Sequence, residues 1–263
     1  MGLSTATVCG LRPNGYSTGI GILYGPVQSR RLGFSLGVNL LPCGEKSCNF
    51  DCLYCELGWT PWMEVRSTWF PSLEILEETL SEDLPGLARR YPSLDAITLS
   101  GNGEPTLFPE FADAVRIVAE LRKRYCPCAR LAILTNGSRL GDKAVFEAMR
   151  GIDLRCVKFD AGGAWMNRPR ESVNLEKLIP TWAEMPNLTI QSFFSEGRFD
   201  NTLDEWVDPW IEQLKTIRPR RVQLYSLDRT PAVGAMVKAS LSTLSHIGRR
   251  VASAVCTEVQ VID

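Results

Sequence analysis

Residues 96–107 read Ala-Ile-Thr-Leu-Ser-Gly-Asn-Gly-Glu-Pro-Thr-Leu, a short apolar run that leads into a glycine-rich turn. The run Ala96–Ser100 is too short and too continuously apolar for an exposed helix, so it predicts a strand that is buried on both faces. A segment with helical periodicity follows at 109–124. The stretch therefore predicts one βα unit.

The same pattern occurs six times after Gly33. The strand candidates are Phe34–Leu40, Ala96–Ser100, Leu131–Thr135, Arg155–Phe159, Leu188–Phe193 and Arg221–Ser226. Helices are predicted near 72–90, 109–124, 141–149, 174–184, 202–217 and 240–252. Alternating buried strands and helices are typical of a parallel sheet with right-handed crossovers. We therefore predict the α/β class, as a partial (β/α)6 barrel of parallel strands that binds ligands beyond the carboxyl ends of the strands.

Length and composition predict one domain over 33–263, preceded by an extension over 1–32 that covers the barrel. Of the 263 residues, 44% are hydrophobic and 22% charged. No apolar run approaches the ~20 residues of a membrane helix, and no export segment is evident at the start, so we expect a cytoplasmic protein that does not contact a membrane. The net charge of −1 neither indicates nor excludes nucleic acid. The single histidine, His246, is predicted to be structural or at the surface.

Three cysteines lie between the first strand and the first long helix. Cys48, Cys52 and Cys55 have the spacing C-x3-C-x2-C. A loop of this length can wrap three thiolates around one iron–sulfur cluster and leave one iron open to an external ligand. A structural zinc site with Cys43 as fourth ligand, or inert thiols, are the alternatives.

Other cysteines give weaker signals. Cys126 and Cys128 lie at a predicted helix end, where they are poor partners for a zinc site and are expected to pack.

Polar residues lie at the carboxyl ends of three further predicted strands, in residues 101–104, 135–138 and 158–160. Gly101 and Gly103 let the backbone approach a ligand closely, and the carboxylate of Glu104 could accept hydrogen bonds from an ammonium group. An ordinary strand-to-helix turn is the alternative there. Lys158 and Asp160 alternate with apolar residues, so they could bind a ligand or form an internal salt bridge on one face of the strand.

The cysteine spacing, with the aromatic Tyr54 before the last cysteine, resembles the signature of the radical S-adenosylmethionine superfamily. Residues 101–105, Gly-Asn-Gly-Glu-Pro, resemble that superfamily's Gly-Gly-Glu-Pro element. Residues 24–42 and 221–231 are similar to the short radical enzymes grouped with the wybutosine-synthesis (tRNA four-demethylwyosine synthase) family, and the likeness covers roughly 22–262.

The tRNA enzymes of that family carry a second cluster bound by N-terminal cysteines. This chain has only Cys9 and Cys43 upstream of the motif, too few for three further ligands. The specific tRNA activity is therefore not expected.

The resemblance implies a 4Fe-4S cluster on Cys48, Cys52 and Cys55, with S-adenosylmethionine on the open iron. It implies reductive cleavage of S-adenosylmethionine to a 5′-deoxyadenosyl radical that abstracts hydrogen from a substrate. An electron donor such as flavodoxin or ferredoxin is implied as a partner. The cofactor-binding residues expected from the resemblance are Tyr54, Gly101, Asn102, Gly103, Glu104, Asn136, Ser138, Lys158 and Asp160.

Specific roles follow for some of these residues by the same resemblance. Glu104 would bind the methionine amine, Asn136 or Ser138 the ribose, and Lys158 the methionine carboxylate.

Substrate contacts are expected at the remaining strand ends and in the N-terminal extension. The candidates, each of which could instead be structural, are Arg30, Arg31, Gln191, Tyr225, Asp228 and Arg229. The substrate could be a small molecule or nucleoside, an RNA base, or a protein partner that is modified or activated. A metal-binding protein without catalysis is the remaining alternative.

Overall fold

A computed structural model describes residues 21–61, 70–170 and 173–263. These residues divide into two compact units. The first unit contains the described residues up to 48, those between 60 and 135, and 142–154. The second contains 49–59, 136–141 and the described residues from 155 onward.

The described part of the first unit contains four strands and three α-helices. The strands are β1 (Leu23–Ser29), β2 (Gly33–Val38), β3 (Ala96–Leu99) and β4 (Arg130–Thr135). The helices are α1 (Leu73–Arg90), α2 (Phe111–Tyr125) and α3 (Lys143–Arg150), with a short 3-10 helix at Pro105–Leu107. The strand order is β1-β2-β3-β4. β1 pairs antiparallel with β2, and the following pairs are parallel.

Local signals explain where these helices begin and which face they bury. The Ser72 side chain accepts a hydrogen bond from Ile75 N and caps α1. Leu76, Leu80 and Leu84 follow at a spacing of four and form the buried stripe of this helix. Asp142 caps α3 in the same way.

The second unit contains six strands and four helices among the residues described. The strands are β5 (Leu154–Lys158), β6 (Leu188–Phe193), β7 (Ser195–Gly197), β8 (Arg221–Tyr225), β9 (Met236–Lys238) and β10 (Glu258–Ile262). The helices are α4 (Gly163–Asn167), α5 (Leu175–Glu184), α6 (Asp204–Ile217) and α7 (Leu241–Val255). The order β5-β6-β8-β10 is parallel throughout, whereas β7 and β9 form a separate antiparallel pair.

The two faces of the parallel strands in the second unit differ in chemistry. Leu224, Val259 and Val261 lie against Gly248 of α7. Because successive side chains of a strand point to opposite faces, the residues between them point away from this helix. The register there aligns Lys158 with Gln191, Gln191 with Gln223, and Gln223 with Gln260. The face opposite the helix therefore carries a polar row.

All six predicted strands and all six predicted helices are present, with ends that differ by a few residues. The predicted α/β class, a partial (β/α)6 barrel of parallel strands, is confirmed. Four strands, β1, β7, β9 and β10, and the helix α4 were not predicted. His246 is exposed on α7.

The predicted N-terminal extension is described only in part. Residues 1–20 lie outside the described residues, and 23–29 form β1. A cover over the barrel thus stays a prediction. Among the described helices, none is both long and apolar enough to span a bilayer.

Candidate active site

The glycine-rich turn after β3 pairs with the residue that precedes Cys48. Ser47 N donates to Asn102 O at 2.7 Å, and Glu104 N donates to Ser47 O at 3.0 Å. Gly103 has φ 149°, and a Cβ there would lie 1.9 Å from Ser47 O. Only glycine allows this approach. Two motifs more than fifty residues apart in sequence thus meet in the first unit.

Asn102 shapes this turn. Its backbone N donates to Asn39 Oδ1 at 3.1 Å and its Nδ2 donates to Pro42 O at 2.9 Å. A Cβ at Gly101 would lie 2.3 Å from the same Asn39 oxygen. Asn39 therefore fixes the turn from β2, which the sequence did not reveal.

Glu104 is a buried carboxylate at the carboxyl ends of β3 and β4, with 2% of its surface exposed. Its Oε1 accepts hydrogen bonds from Thr106 N at 3.1 Å, Thr106 Oγ1 at 2.6 Å and Thr135 Oγ1 at 2.6 Å. Three donors on one oxygen fix the orientation of the carboxylate. A carboxylate held in this way suits an ammonium ligand.

Cys52 lies in a segment that forms an antiparallel ladder with residues 166–170 of the second unit. Leu53 N donates to Met166 O at 3.0 Å, Asp51 N donates to Arg168 O at 3.0 Å, and Arg170 N donates to Asn49 O at 2.8 Å. An antiparallel bridge joins Phe50 and Pro169. The cysteine loop is therefore held on both sides of Cys52.

The hydroxyl of Tyr54 donates to Oδ2 of Asp160 at 2.5 Å. The same oxygen accepts from Asn167 Nδ2 at 2.6 Å, and Oδ1 accepts from Phe193 N at 2.6 Å. Burial raises the pKa of Tyr54, and the negative charge of Asp160 raises it further. Tyr54 is therefore a neutral hydrogen-bond donor. Asp160, predicted to bind the cofactor, holds the loop through Tyr54.

Asn136 and Ser138, the two candidates for the ribose, are joined through Asn49. Asn136 Nδ2 donates to Asn49 Oδ1 at 2.8 Å, and Asn49 Nδ2 donates to Ser138 Oγ at 2.9 Å. Ser138 N in turn donates to Asn136 Oδ1 at 3.0 Å. Asn49 was not predicted, although its place directly after Cys48 was a signal.

Lys158 donates from Nζ to the hydroxyl of Tyr225 at 2.7 Å. The ammonium lies 5.5 Å from the ring centroid of Tyr54 and 5.1 Å from that of Tyr225. Its positive charge opposes the rise in the pKa of Asp160 that burial causes. Lys158, Tyr54 and Asp160 thus meet in the second unit.

The remaining candidate substrate contacts are scattered. Gln191 is fully buried, and its Nε2 donates to Gln223 Oε1 at 2.8 Å. Asp228 and Arg229 are exposed after β8, where Arg229 forms a 3.0 Å ion pair with Glu56.

Arg30 and Arg31 lie in the turn between β1 and β2, at the amino end of β2. Ligands in this fold class bind at the opposite, carboxyl ends of the strands. This position does not support the predicted contact of the two arginines with substrate.

The described residues include no group of three or more His, Cys, Asp or Glu side chains arranged to hold a metal ion. Cys48, Cys52 and Cys55 are partly buried and form no disulfide among the described residues, and Asn167 Nδ2 lies 3.5 Å from Cys52 Sγ. Three thiols within eight residues and an N–H donor at sulfur fit the donor set of an iron–sulfur cluster. Cys126, at the end of α2, is buried as predicted, whereas Cys43 and Cys128 are exposed.

Solved structures share this fold. A radical S-adenosylmethionine methyltransferase from Sphaerobacter thermophilus has a TM-score of 0.62 at 16% identity, over 86% of this chain and 65% of its own. TYW1 with a lysine–pyruvate adduct bound has a TM-score of 0.59 at 14% identity, over 83% and 73%. Streptococcus suis SuiB bound to S-adenosylmethionine has a TM-score of 0.56 at 14% identity, over 86% and 50%.

No family model matches the chain. Among curated proteins, a UPF0026 protein of Helicobacter pylori is 36% identical over 140 residues, and these residues cover 53% of this chain and 42% of that protein. The chain thus spans less than half the length of this relative. A UPF0026 protein of Synechocystis sp. is 33% identical over 220 residues, 77% of this chain and 74% of that protein. The chain therefore belongs to the UPF0026 family, and it shares its fold with the radical S-adenosylmethionine methyltransferase and the other solved structures named above.

Proposed function

We propose that this protein is a radical S-adenosylmethionine enzyme. Cys48, Cys52 and Cys55 would hold a 4Fe-4S cluster, and S-adenosylmethionine would bind its open iron and be cleaved reductively. The observation that carries the proposal is the pairing of Ser47 with the Gly103–Glu104 turn. It brings a fixed, buried carboxylate next to the start of the cysteine motif within one unit.

When bound, the reduced cluster and S-adenosylmethionine supply a one-electron cleavage that yields methionine and a 5′-deoxyadenosyl radical. The protein positions the reactants and excludes water. Glu104 accepts hydrogen bonds from the methionine ammonium, since Thr106 and Thr135 already orient its carboxylate. This geometry costs no rearrangement when the ligand arrives.

Further cofactor contacts in this proposal follow the resemblance of the sequence, residue by residue. Lys158 pairs with the methionine carboxylate, because its ammonium carries a positive charge and is held near two tyrosine rings. Asn136 or Ser138 binds the ribose, in positions that Asn49 fixes. Tyr54 packs on Phe193 with 4.1 Å between ring centroids and so fixes the loop between Cys52 and Cys55.

In this proposal a low-potential carrier such as flavodoxin or ferredoxin would supply the electron, and the bound cofactor would supply hydrogen abstraction from a substrate C–H bond. The net charge of −1 provides no general attraction to RNA. The charge neither indicates nor excludes an RNA base, and a small molecule or a protein is an equal candidate for the substrate.

The proposal is tested by anaerobic reconstitution with iron and sulfide. We expect four irons per chain in the wild type, and a paramagnetic resonance spectrum of the reduced protein that changes when S-adenosylmethionine is added. Cys52→Ala should lose both properties. Cys256→Ala, an exposed cysteine at the end of α7, is the matched control and should keep both. Wild-type iron content and an unchanged cofactor response in Cys52→Ala would contradict the proposal.

A further inference from the structure

The ladder between the cysteine loop and residues 166–170 has one register. It pairs 49 with 170, 50 with 169, 51 with 168 and 53 with 166. The same register places Cys52 directly opposite Asn167. Asn167 is the last residue of α4, and Arg168 after it has a φ of 43°, so regular strand pairing ends there. The side chains themselves make the contact, with Asn167 Nδ2 3.5 Å from Cys52 Sγ.

The side-chain amide of Asn167 has two N–H donors on Nδ2 and one acceptor oxygen, Oδ1. Its Nδ2 lies 2.6 Å from Asp160 Oδ2 and 3.5 Å from Cys52 Sγ. A carboxylate accepts hydrogen bonds and an amide oxygen cannot donate one, so Asp160 dictates which end of the amide faces the sulfur. Asp160 is itself fixed by Phe193 N and the Tyr54 hydroxyl. The orientation of the amide is thus determined before any ligand binds.

This arrangement has a cost in the folded protein. Asn167 is 2% exposed, and its Oδ1 is buried without a hydrogen-bond partner among the described residues. An apolar side chain of similar size would avoid that loss. The polar residue is therefore explained better by what its N–H groups do than by packing.

We propose that Asn167 is a positioning residue for the Cys52 ligand: its N–H, aimed by Asp160, donates to the Cys52 sulfur and raises the reduction potential of the bound cluster. The inference rests on the proposed function. Hydrogen bonds to cluster sulfurs are among the factors that set the potential, because they stabilise the extra negative charge of the reduced state. Without the donor, the cluster becomes harder to reduce.

The test is a potentiometric titration of the reconstituted cluster without S-adenosylmethionine, followed by paramagnetic resonance. The variant Asn167→Leu keeps the approximate volume and removes the donor. At the wild-type midpoint, we expect the ratio of reduced to oxidised cluster to fall about tenfold in the variant, a shift of about 59 mV to more negative potential. Asn167→Ala, which removes the same donor with a smaller side chain and changes no charge, should shift the potential in the same direction.

Asn201→Ala is the matched control. Asn201 is fully buried in the same unit, and its amide donates to Ala161 O at 3.0 Å and Phe193 O at 2.8 Å. Its loss should destabilise the fold and leave the potential unchanged.

The outcomes separate the two proposals. A wild type that binds no cluster overturns the proposed function. If the wild type binds a cluster and Asn167→Leu has the same potential, the role of Asn167 is overturned. A shift in Asn201→Ala as large as that in Asn167→Leu also overturns it. If Asn167→Leu does not fold, Asn167→Ala carries the test, and a wild-type potential in that variant overturns the inference.

Discussion

Tyr54 and Asp160 are joined by a 2.5 Å hydrogen bond between the phenol hydroxyl and Oδ2, although they are more than a hundred residues apart in sequence. Both side chains are buried. The bond connects the aromatic residue of the cysteine motif to the loop after β5. The position of Tyr54, between Cys52 and Cys55, therefore depends on the loop after β5 in the same unit.

Replacement of Tyr54 by Phe should therefore destabilise the protein. The change leaves a buried carboxylate with one donor fewer, which costs about 1–3 kcal/mol. Urea unfolding of the cluster-free protein measures this loss in the free energy of unfolding. Tyr24→Phe is the control, because the Tyr24 hydroxyl shares a 2.5 Å hydrogen bond with the neutral hydroxyl of Ser100. Its loss should lower the free energy of unfolding by about 1 kcal/mol. A Tyr54→Phe protein as stable as the wild type would contradict the role given to this bond.

The pH dependence of stability should show that Asp160 is buried. Burial raises its pKa, against opposing hydrogen bonds and the charge of Lys158. A carboxyl whose pKa is higher in the folded state than its unfolded value of ~3.9 binds its proton more tightly when folded. Its contribution is thus fully present below ~3.9 and is lost as the pH rises through the folded pKa.

The comparison that isolates this effect is wild type against Asp160→Asn. The free energy of unfolding of the wild type, relative to the variant, should decrease as the pH rises from about 4. Urea titrations of both proteins over a series of pH values measure the difference. A difference that is constant or grows with pH would show that the carboxyl is not buried as described.

Gly103→Ala should disrupt the turn that meets the cysteine motif. The added Cβ would lie 1.9 Å from a backbone oxygen of Ser47, which cannot move aside as a side chain can. Gly58→Ala is the matched control for Gly103→Ala. Gly58 also has a positive φ, 72°, but an added Cβ there would meet nothing within 4 Å. We expect Gly103→Ala to cost about 2 kcal/mol more than Gly58→Ala in thermal or urea unfolding. Equal losses would mean that the close approach at Ser47 is absent.

Glu104→Gln should weaken the binding of S-adenosylmethionine to the reconstituted protein. The amide keeps an acceptor for Thr135 but loses the charge, and a hydrogen bond to a charged group contributes about 1.5–3 kcal/mol. We expect affinity to fall by about tenfold to a hundredfold in calorimetric titrations. Thr135→Val, which removes one orienting donor and keeps the carboxylate, should cost less than tenfold. Wild-type affinity for S-adenosylmethionine in Glu104→Gln would show that the charge of Glu104 does not contribute to binding.

The sequence predicted the barrel because buried parallel strands are continuous apolar runs. Leu188–Phe193 has the predicted bounds. β1 was missed because Gly25 and Pro26 interrupt its pattern at an irregular register with β2. β10 was missed although Val259 and Val261 alternate with Gln260 in a signal of period two. α4 has only five residues, too few to show a helical period.

The candidate site was predictable where chemistry dictates local spacing, as for Cys52 and Glu104. Thr135 and Asn167 were not predictable as site residues. Their contacts arise from the ends of strands and from a ladder between segments more than a hundred residues apart. No local pattern encodes such a register.

The central claim is that the cysteine motif carries reductive cleavage of S-adenosylmethionine. The most direct measurement is the amount of 5′-deoxyadenosine formed when the reconstituted protein is reduced with dithionite in the presence of S-adenosylmethionine. The wild type and Cys256→Ala should form it, and Cys52→Ala should not. Formation by Cys52→Ala at the wild-type rate, or none by a wild type that holds its cluster, would contradict the account.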